Sequence, residues 1–359
     1  MVIARNSSFA YKGRNVDIRT VGRELGVRSV LEGSIRRAGN RLRITAQLID
    51  AADGGHLWAE RYDRDLTDIF AVQDEVTLQI VSALRVTLSP AETSRIAEAG
   101  TDNAAAHDAF LHGRELIMAV VKTRATFEQS IEFFNEAIAL DPEYGAPYAG
   151  IAMAHNVDYH SHFTENGEQA LDIGSEFADK AVRQSPNDPF VRFVAAIIAI
   201  FRGDFARATT EADAALGLNP NYALAIGARG TVDIYLGNPL SAIQYIERAI
   251  RLDPANTSNK GQQIHFLGTA YLTAGKYEAA VELFRERIRL SPRTDLSRAF
   301  LASALGHLGH IDDARVVWRE LKEINPKYSF DQHIGRLPFK NLADVDGIKE
   351  GLIKAGVLE

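Results

Sequence analysis

The densest group of side chains able to do chemistry is "AHNVDYHSHF", which gathers His155, Asp158, His160 and His162. Imidazoles and carboxylates so close in sequence can hold zinc or a similar ion. Two histidines on one helix face need an i, i+4 interval, and no two of these have it. The stretch falls at a helix end and in a 10-residue insertion. It reads as a surface or partner-contact loop, and no metal site is assigned.

A second group is basic. Arg36, Arg37, Arg41 and Arg43 sit on a hairpin and could meet phosphate. No aromatic side chain interleaves with them to stack on bases, so they read as an exposed strand face. No nucleic-acid partner is expected.

Other chemistry is excluded by what the sequence lacks. There is no cysteine, hence no disulfide, thiolate site or cysteine nucleophile. Neither a GxxxxGK[ST] loop nor a strand followed by GxGxxG is present, and GxSxG is absent. No catalytic residue and no cofactor are assigned. The chain reads as a non-enzyme.

Which elements, then, would position a functional surface? The 359 residues exceed one typical domain, and 46% hydrophobic with 24% charged residues is ordinary globular composition. Net charge is -7, yet residues 1–65 carry 12 Arg or Lys against 8 Asp or Glu, a net of +4. No secretory signal opens the chain. The most apolar window, residues 193–201, is about half the ~18–20 residues of a membrane span.

The dominant pattern is a repeat. Asn, Asp or Ser precedes Pro142, Pro186, Pro220, Pro254, Pro292 and Pro326, at intervals of 44, 34, 34, 38 and 34. Positions 12, 8 and 5 before each Pro recur in type. They are Ser130/Phe134/Ala137, Gly174/Ala178/Ala181, Ala208/Ala212/Ala215, Ala242/Ile246/Ala249, Ala280/Phe284/Arg287 and Ala314/Trp318/Leu321. Small residues there let a second helix lie against the first, and larger ones plug the gap. Gly203, Gly237, Gly275 and Gly309 mark the intervening turn, where a left-handed residue is needed. Trp58 and Trp318 read as core fillers.

Ahead of the repeats, Val2-Ile3-Ala4 reads as a strand interrupted by Asn6, Ser7 and Ser8. "VDIRTVGRELG" is a short helix capped by Asp17 and stopped by Gly26. Apolar alternation from Val27 to Ile35 and from Leu42 to Leu48, then "HLWAERY" after the turn "AADGG", predicts a meander. Helical spacing returns from Asp65 to Leu88.

The repeat resembles the tetratricopeptide repeat, with six units from Ala104 to Pro326. That resemblance implies helical hairpins stacked into a right-handed superhelix, closed by the amphipathic "DVDGIKEGLIKAGVLE" as a cap. It also implies a concave groove lined by positions 2, 5, 9, 12 and 13 of each first helix. On this sequence these are Phe190, Phe193, Ile197, Ile200 and Phe201 in unit three, and Thr231, Ile234 and Tyr235 in unit four. Unit five offers Gln262, His265 and Thr269, and unit six Ser303 and His307. An apolar middle with a polar C-terminal half suits a peptide or a helix. Alternatively, the N-terminal domain or the C-terminal cap fills the apolar part.

The stretch from "VIARNSSFAYKG" through "RDLTDIFAVQDEV" resembles the TolB-like segment that follows the catalytic domain in many bacterial class III adenylate/guanylate cyclase proteins. Such proteins often continue into tetratricopeptide repeats and end much like "RLPFKNLADVDGIKEGLIKAGVLE". The resemblance implies a mainly α chain: a truncated TolB-like α+β domain (1–65), a helix and linker (66–103), repeats (104–327) and a capping segment (328–359). The two metal-binding carboxylates of a cyclase domain have no counterpart here.

The implied function is a regulatory, protein-binding region. Its alternative is the sensory half of a winged-helix transcription activator, since related segments follow winged helices too. In the resembling proteins a strand and a helix precede this starting point. Met1 is therefore expected at a truncated edge, and Val2-Ile3-Ala4 at an exposed strand that favours a homodimer. A cytoplasmic location is expected, or a periplasmic one if a membrane span lies upstream in the parent.

Overall fold

Apolar–polar alternation from Ser29 to Asp65 folds as three antiparallel strands: β1 (Ser29–Ala38), β2 (Arg41–Asp50) and β3 (His56–Asp65), in the order β1-β2-β3. In this computed structural model, residues 3, 5–14, 16–39, 41–65, 69–84, 100–119, 123–161, 163, 167–254 and 257–358 are described. Strand register runs from Ser29 opposite Asp50 to Ala38 opposite Arg41, and from Arg41 opposite Asp65 to Leu48 opposite Trp58. One face is buried at Leu42, Ala46, Leu48 and Tyr62. On the outer strand, Leu31 and Ile35 of that same face remain 51% and 67% exposed.

Of the expected opening strand, Val2 and Ala4 lie outside the described residues, and Ile3 is neither strand nor helix. Asn6, Ser7 and Ser8, expected to interrupt the strand, lie within a short helix, α1 (Arg5–Phe9). Ser7 is drawn there by a buried bond to Asp253 of the repeats, 2.6 Å long. Helix α2 (Ile18–Leu25) is capped as its sequence predicts. Asp17 accepts from the Arg19 amide, and Gly26 turns left-handed at φ 66. Helix α3 (Ile69–Ala83) lies on β3, with Val72 buried and Glu75 paired to Arg64 at 3.1 Å.

Six helical hairpins follow. They are α4 (Ala104–Ile117) with α5 (Arg124–Leu140), α6 (Gly145–Ser161) with α7 (Gly167–Gln184), and α8 (Pro189–Phe201) with α9 (Phe205–Leu218). Next come α10 (Ala223–Tyr235) with α11 (Pro239–Leu252), α12 (Thr257–Thr273) with α13 (Tyr277–Leu290), and α14 (Leu296–His307) with α15 (Ile311–Ile324). The Pro steps explain where second helices stop. Asp141, Asn219, Asp253, Ser291 and Asn325 are C-caps, each followed by a Pro that disfavours helix in the residue before it. The turn glycines Gly203, Gly237, Gly275 and Gly309 have φ of 73, 82, 71 and 75, so the hairpins close where the sequence places them.

Packing follows a plug-and-notch rule. Phe134 fills the space opposite Gly113 and Gly150, where an added Cβ would sit 2.6 and 2.5 Å from its ring. Phe284 does the same at Gly268 (2.8 Å) and Ile246 at Gly230 (2.6 Å). Where the plug is small, as at Ala208, Ala212 and Ala215, all three residues are wholly buried. Each unit's first helix also packs on the first helix of the next, so the stack curves with first helices inside.

After α15 the chain does not simply cover the end of the stack. It forms α16 (Phe330–Ile334), runs without regular structure to Asn341, and ends in α17 (Leu342–Lys354) against α14. Gly306 and Gly351 let these two helices approach so closely that a Cβ on Gly306 would collide with the Gly351 carbonyl. Trp318 is half-buried, edge-on to Tyr328 at 5.9 Å.

Candidate functional site: the inner face of the first helices

The 34-residue phase places Phe201 and Tyr235 at the same point, the last residue of α8 and of α10. Both rings look onto the inner face, with Tyr159 and His160 from α6 beside them. His160 stands edge-on to Phe201 (4.3 Å, 77°), and Tyr159 lies 6.2 Å from it. Phe205 lies 6.5 Å from Tyr235. Units two and three thus share one ring group (Tyr159, His160, Phe201), and Phe205 at the start of α9 meets Tyr235 of unit four, so three units supply an aromatic wall.

That wall is occupied by the chain's own C-terminal segment. Phe339 meets Tyr235 edge-on at 4.9 Å and 86°. The Lys340 amide donates to the Tyr235 carbonyl at 2.8 Å, a helix-end acceptor that has no partner within its own helix. The Tyr159 hydroxyl donates to the Arg336 carbonyl at 3.3 Å. Further along, the Ser303 hydroxyl donates to the Ile348 carbonyl (2.7 Å), and His307 Nε2 donates to the Gly347 carbonyl (2.8 Å). His307 also stacks on Tyr277 at 4.3 Å.

The structure divides the groove residues predicted from sequence into three sets. Tyr235, Ser303 and His307 touch the C-terminal segment, as above. Phe201 and Ile197 are half-buried, and Gln262 is exposed. The others are packed between helices or satisfied within one. Phe190 lies against Phe110 (5.8 Å) and Phe193 against Tyr222 (5.8 Å). Ile200 and Ile234 are buried in the core. Thr231 and Thr269 donate to the Gly227 and His265 carbonyls one turn back, both at 3.0 Å. His265 pairs through Nδ1 with Ser297 Oγ at 3.0 Å, among the rings of Phe284 and Phe300. Burial above all, with Arg287 and His333 nearby, holds its pKa down at about 3, so it stays neutral.

A second opening lies at the other end of the first helices. It is a cavity of ≈ 1110 Å³ lined by Ile3, Phe9 and Lys12 and by Asp108, His112 and Tyr222. Ser7, bonded to Asp253, anchors the N-terminal segment beside it.

Of the histidine group, His155 is half-buried and edge-on to Phe127 at 5.8 Å, with its pKa lowered by burial and raised in part by Asp158. Asp158 is buried, His160 belongs to the aromatic wall, and His162 lies outside the described residues. Among the described residues no three His, Cys, Asp or Glu are grouped to hold a metal ion. In the basic hairpin, Arg43 pairs with Asp63 at 2.7 Å and Arg37 donates to the Gly39 carbonyl. Among the described residues no helix is long and apolar enough to cross a membrane.

Tyr159, Phe205, Arg336, Phe339 and Lys340 escape a reading based on groove positions alone. The 34-residue step from Phe201 to Tyr235 is the signal for the wall. For its occupant, the signal is an apolar "LPF" just after the last repeat.

Comparison with known proteins agrees with the repeat. Tetratricopeptide-repeat family models match residues 225–256, 264–294 and 296–320, in units four to six. The chain is 47% identical over 182 residues to "Putative adenylate cyclase 3" of Rhizobium meliloti (strain 1021), covering 50% of this chain and 31% of that protein. It is 32% identical over 108 residues to the DnaJ homolog subfamily C member 7 homolog of Schizosaccharomyces pombe, covering 28% of this chain and 23% of that one. The chain thus spans less than a third of either curated relative. Among solved structures, the APC/C hetero-tetramer Cut9-Hcn1 aligns over 80% of this chain and 54% of its own, at TM-score 0.51 and 16% identity. The fold is a tetratricopeptide-repeat superhelix with a small N-terminal three-stranded sheet. Repeats of this kind bind protein or peptide partners.

Proposed function

We propose that this chain is a non-catalytic regulatory and protein-binding region of the kind that accompanies a class III adenylate cyclase domain. The observation that carries the reading is the inner face itself. Helices of units two to four converge on it, offering an aromatic wall and the Tyr235 helix-end carbonyl to an incoming chain. The likeness to a cyclase over half of this chain supports the association with cyclisation. Residues 1–65 would be the TolB-like α+β part, and 104–327 the recognition part.

The catalytic claim is tested with purified protein, ATP or GTP, and magnesium or manganese. No cyclic nucleotide above background is expected. Metal-dependent turnover that survives repurification would overturn the reading.

A further inference from the structure

The segment Gly335–Asn341 sits on the array as a ligand sits on its receptor. It has no helix or strand of its own. Gly335, Arg336, Lys340 and Asn341 are exposed, Leu337 and Pro338 are half-buried, and Phe339 alone is buried. One aromatic anchor and two main-chain contacts, Lys340 to Tyr235 and Arg336 to Tyr159, join it to units four and two. Extended peptides are held in grooves by this division of labour: main-chain bonds for affinity and a few pockets for identity.

We infer that the wall formed by Tyr159, Phe201, Phe205 and Tyr235 is a peptide site, occupied in cis by Gly335–Asn341. A partner engages it by presenting an extended segment with an aliphatic–Pro–aromatic triplet. Phe339 carries the recognition, buried against Tyr235, with Leu337 and Pro338 half-buried directly before it. The two flanks of the segment are tied down independently, Phe330 and Ile334 by burial in the core and α17 against α14. The Gly335, Arg336 and Leu337 amides bond back to the Asp331, His333 and Ile334 carbonyls of α16, and Asn341 caps α17, so Pro338–Lys340 is the stretch that can leave the wall while those bonds stay in place. Tethering keeps it at high effective concentration, so an outside partner meets a site already filled. This rests on the reading of the array as a protein-binding region and names the site and the ligand class.

The test uses a labelled peptide of residues Gly335–Asn341, acetylated and amidated, titrated by fluorescence anisotropy into the full chain. Phe339→Asp empties the wall and should bind the peptide at least tenfold more tightly than the unaltered chain. Phe339→Leu weakens the tether more gently, should give a severalfold gain, and serves if the aspartate variant does not fold. Adding Tyr235→Ala to either variant should remove the gain. Equal binding by all chains, or binding by none, overturns the inference. Cyclase turnover would instead overturn the functional reading and leave this contact as it is.

Discussion

Phe339 stands edge-on to Tyr235, ring centroids 4.9 Å apart and planes at 86°, across 104 residues of chain. The edge of one ring is positive and the face of the other negative, so this geometry adds to the burial of both. Replacing Phe339 by Ala should cost about 2–3 kcal/mol, the transfer free energy of a buried aromatic side chain. Urea unfolding of the variant should show that loss, and a stability equal to wild type would mean that the contact is not formed in solution.

Ala280 is wholly buried at the position where α13 lies against its neighbours. A phenylalanine there overpacks the helix contact and should cost about 1–3 kcal/mol. A melting temperature unchanged by Ala280→Phe would contradict the register of the repeat.

His265 makes stability depend on pH. Its folded pKa, about 3, lies below the ordinary value near 6.5 because burial disfavours the charged ring. Between those values the unfolded chain binds a proton that the folded chain refuses. Stability is therefore complete above pH ~6.5 and falls as the pH drops toward 3. From pH 7.5 to 5 the loss through this group is at most about 2 kcal/mol. Urea titrations at both pH values should show His265→Gln losing less than the unaltered chain. An equal slope in both would remove His265 from the account.

Strand β1 is an edge of the three-stranded sheet, ten residues long, and Leu31 and Ile35 on it are exposed. Unpaired backbone groups beside bare apolar side chains favour pairing with a second copy. Light scattering after size exclusion should give a dimer mass at tens of micromolar. A monomer mass there rules out the pairing. Loss of the dimer in Leu31→Lys/Ile35→Lys would locate it on β1.

Much of the fold was legible because local chemistry and long-range packing agree. The Pro steps, Gly203 with its three counterparts, and the small-residue positions each report one contact that recurs every 34 residues or so. The inner face was less legible. Positions such as Phe190, Phe193 and His265 are apolar or aromatic for a ligand and for a neighbouring helix alike, and here the neighbouring helix takes them. Ser7 seats on Asp253 across 246 residues, a pairing that no local pattern encodes. Phe339 was hidden for a similar reason, since nothing in "RLPFKN" reveals which of six units it will meet.

The most direct measurement is hydrogen exchange at the Lys340 amide of the full chain, because that amide donates to the Tyr235 carbonyl. A displaceable segment on a stable array should open locally, exchanging far faster than amides in the middle of α13 around Ala280 and Phe284. It should still exchange more slowly than an unprotected amide. Lys340 protected as strongly as the core of α13 would contradict the account, because the segment would then be part of the fold rather than a ligand upon it. No protection at all would contradict it equally, since the wall would then stand empty.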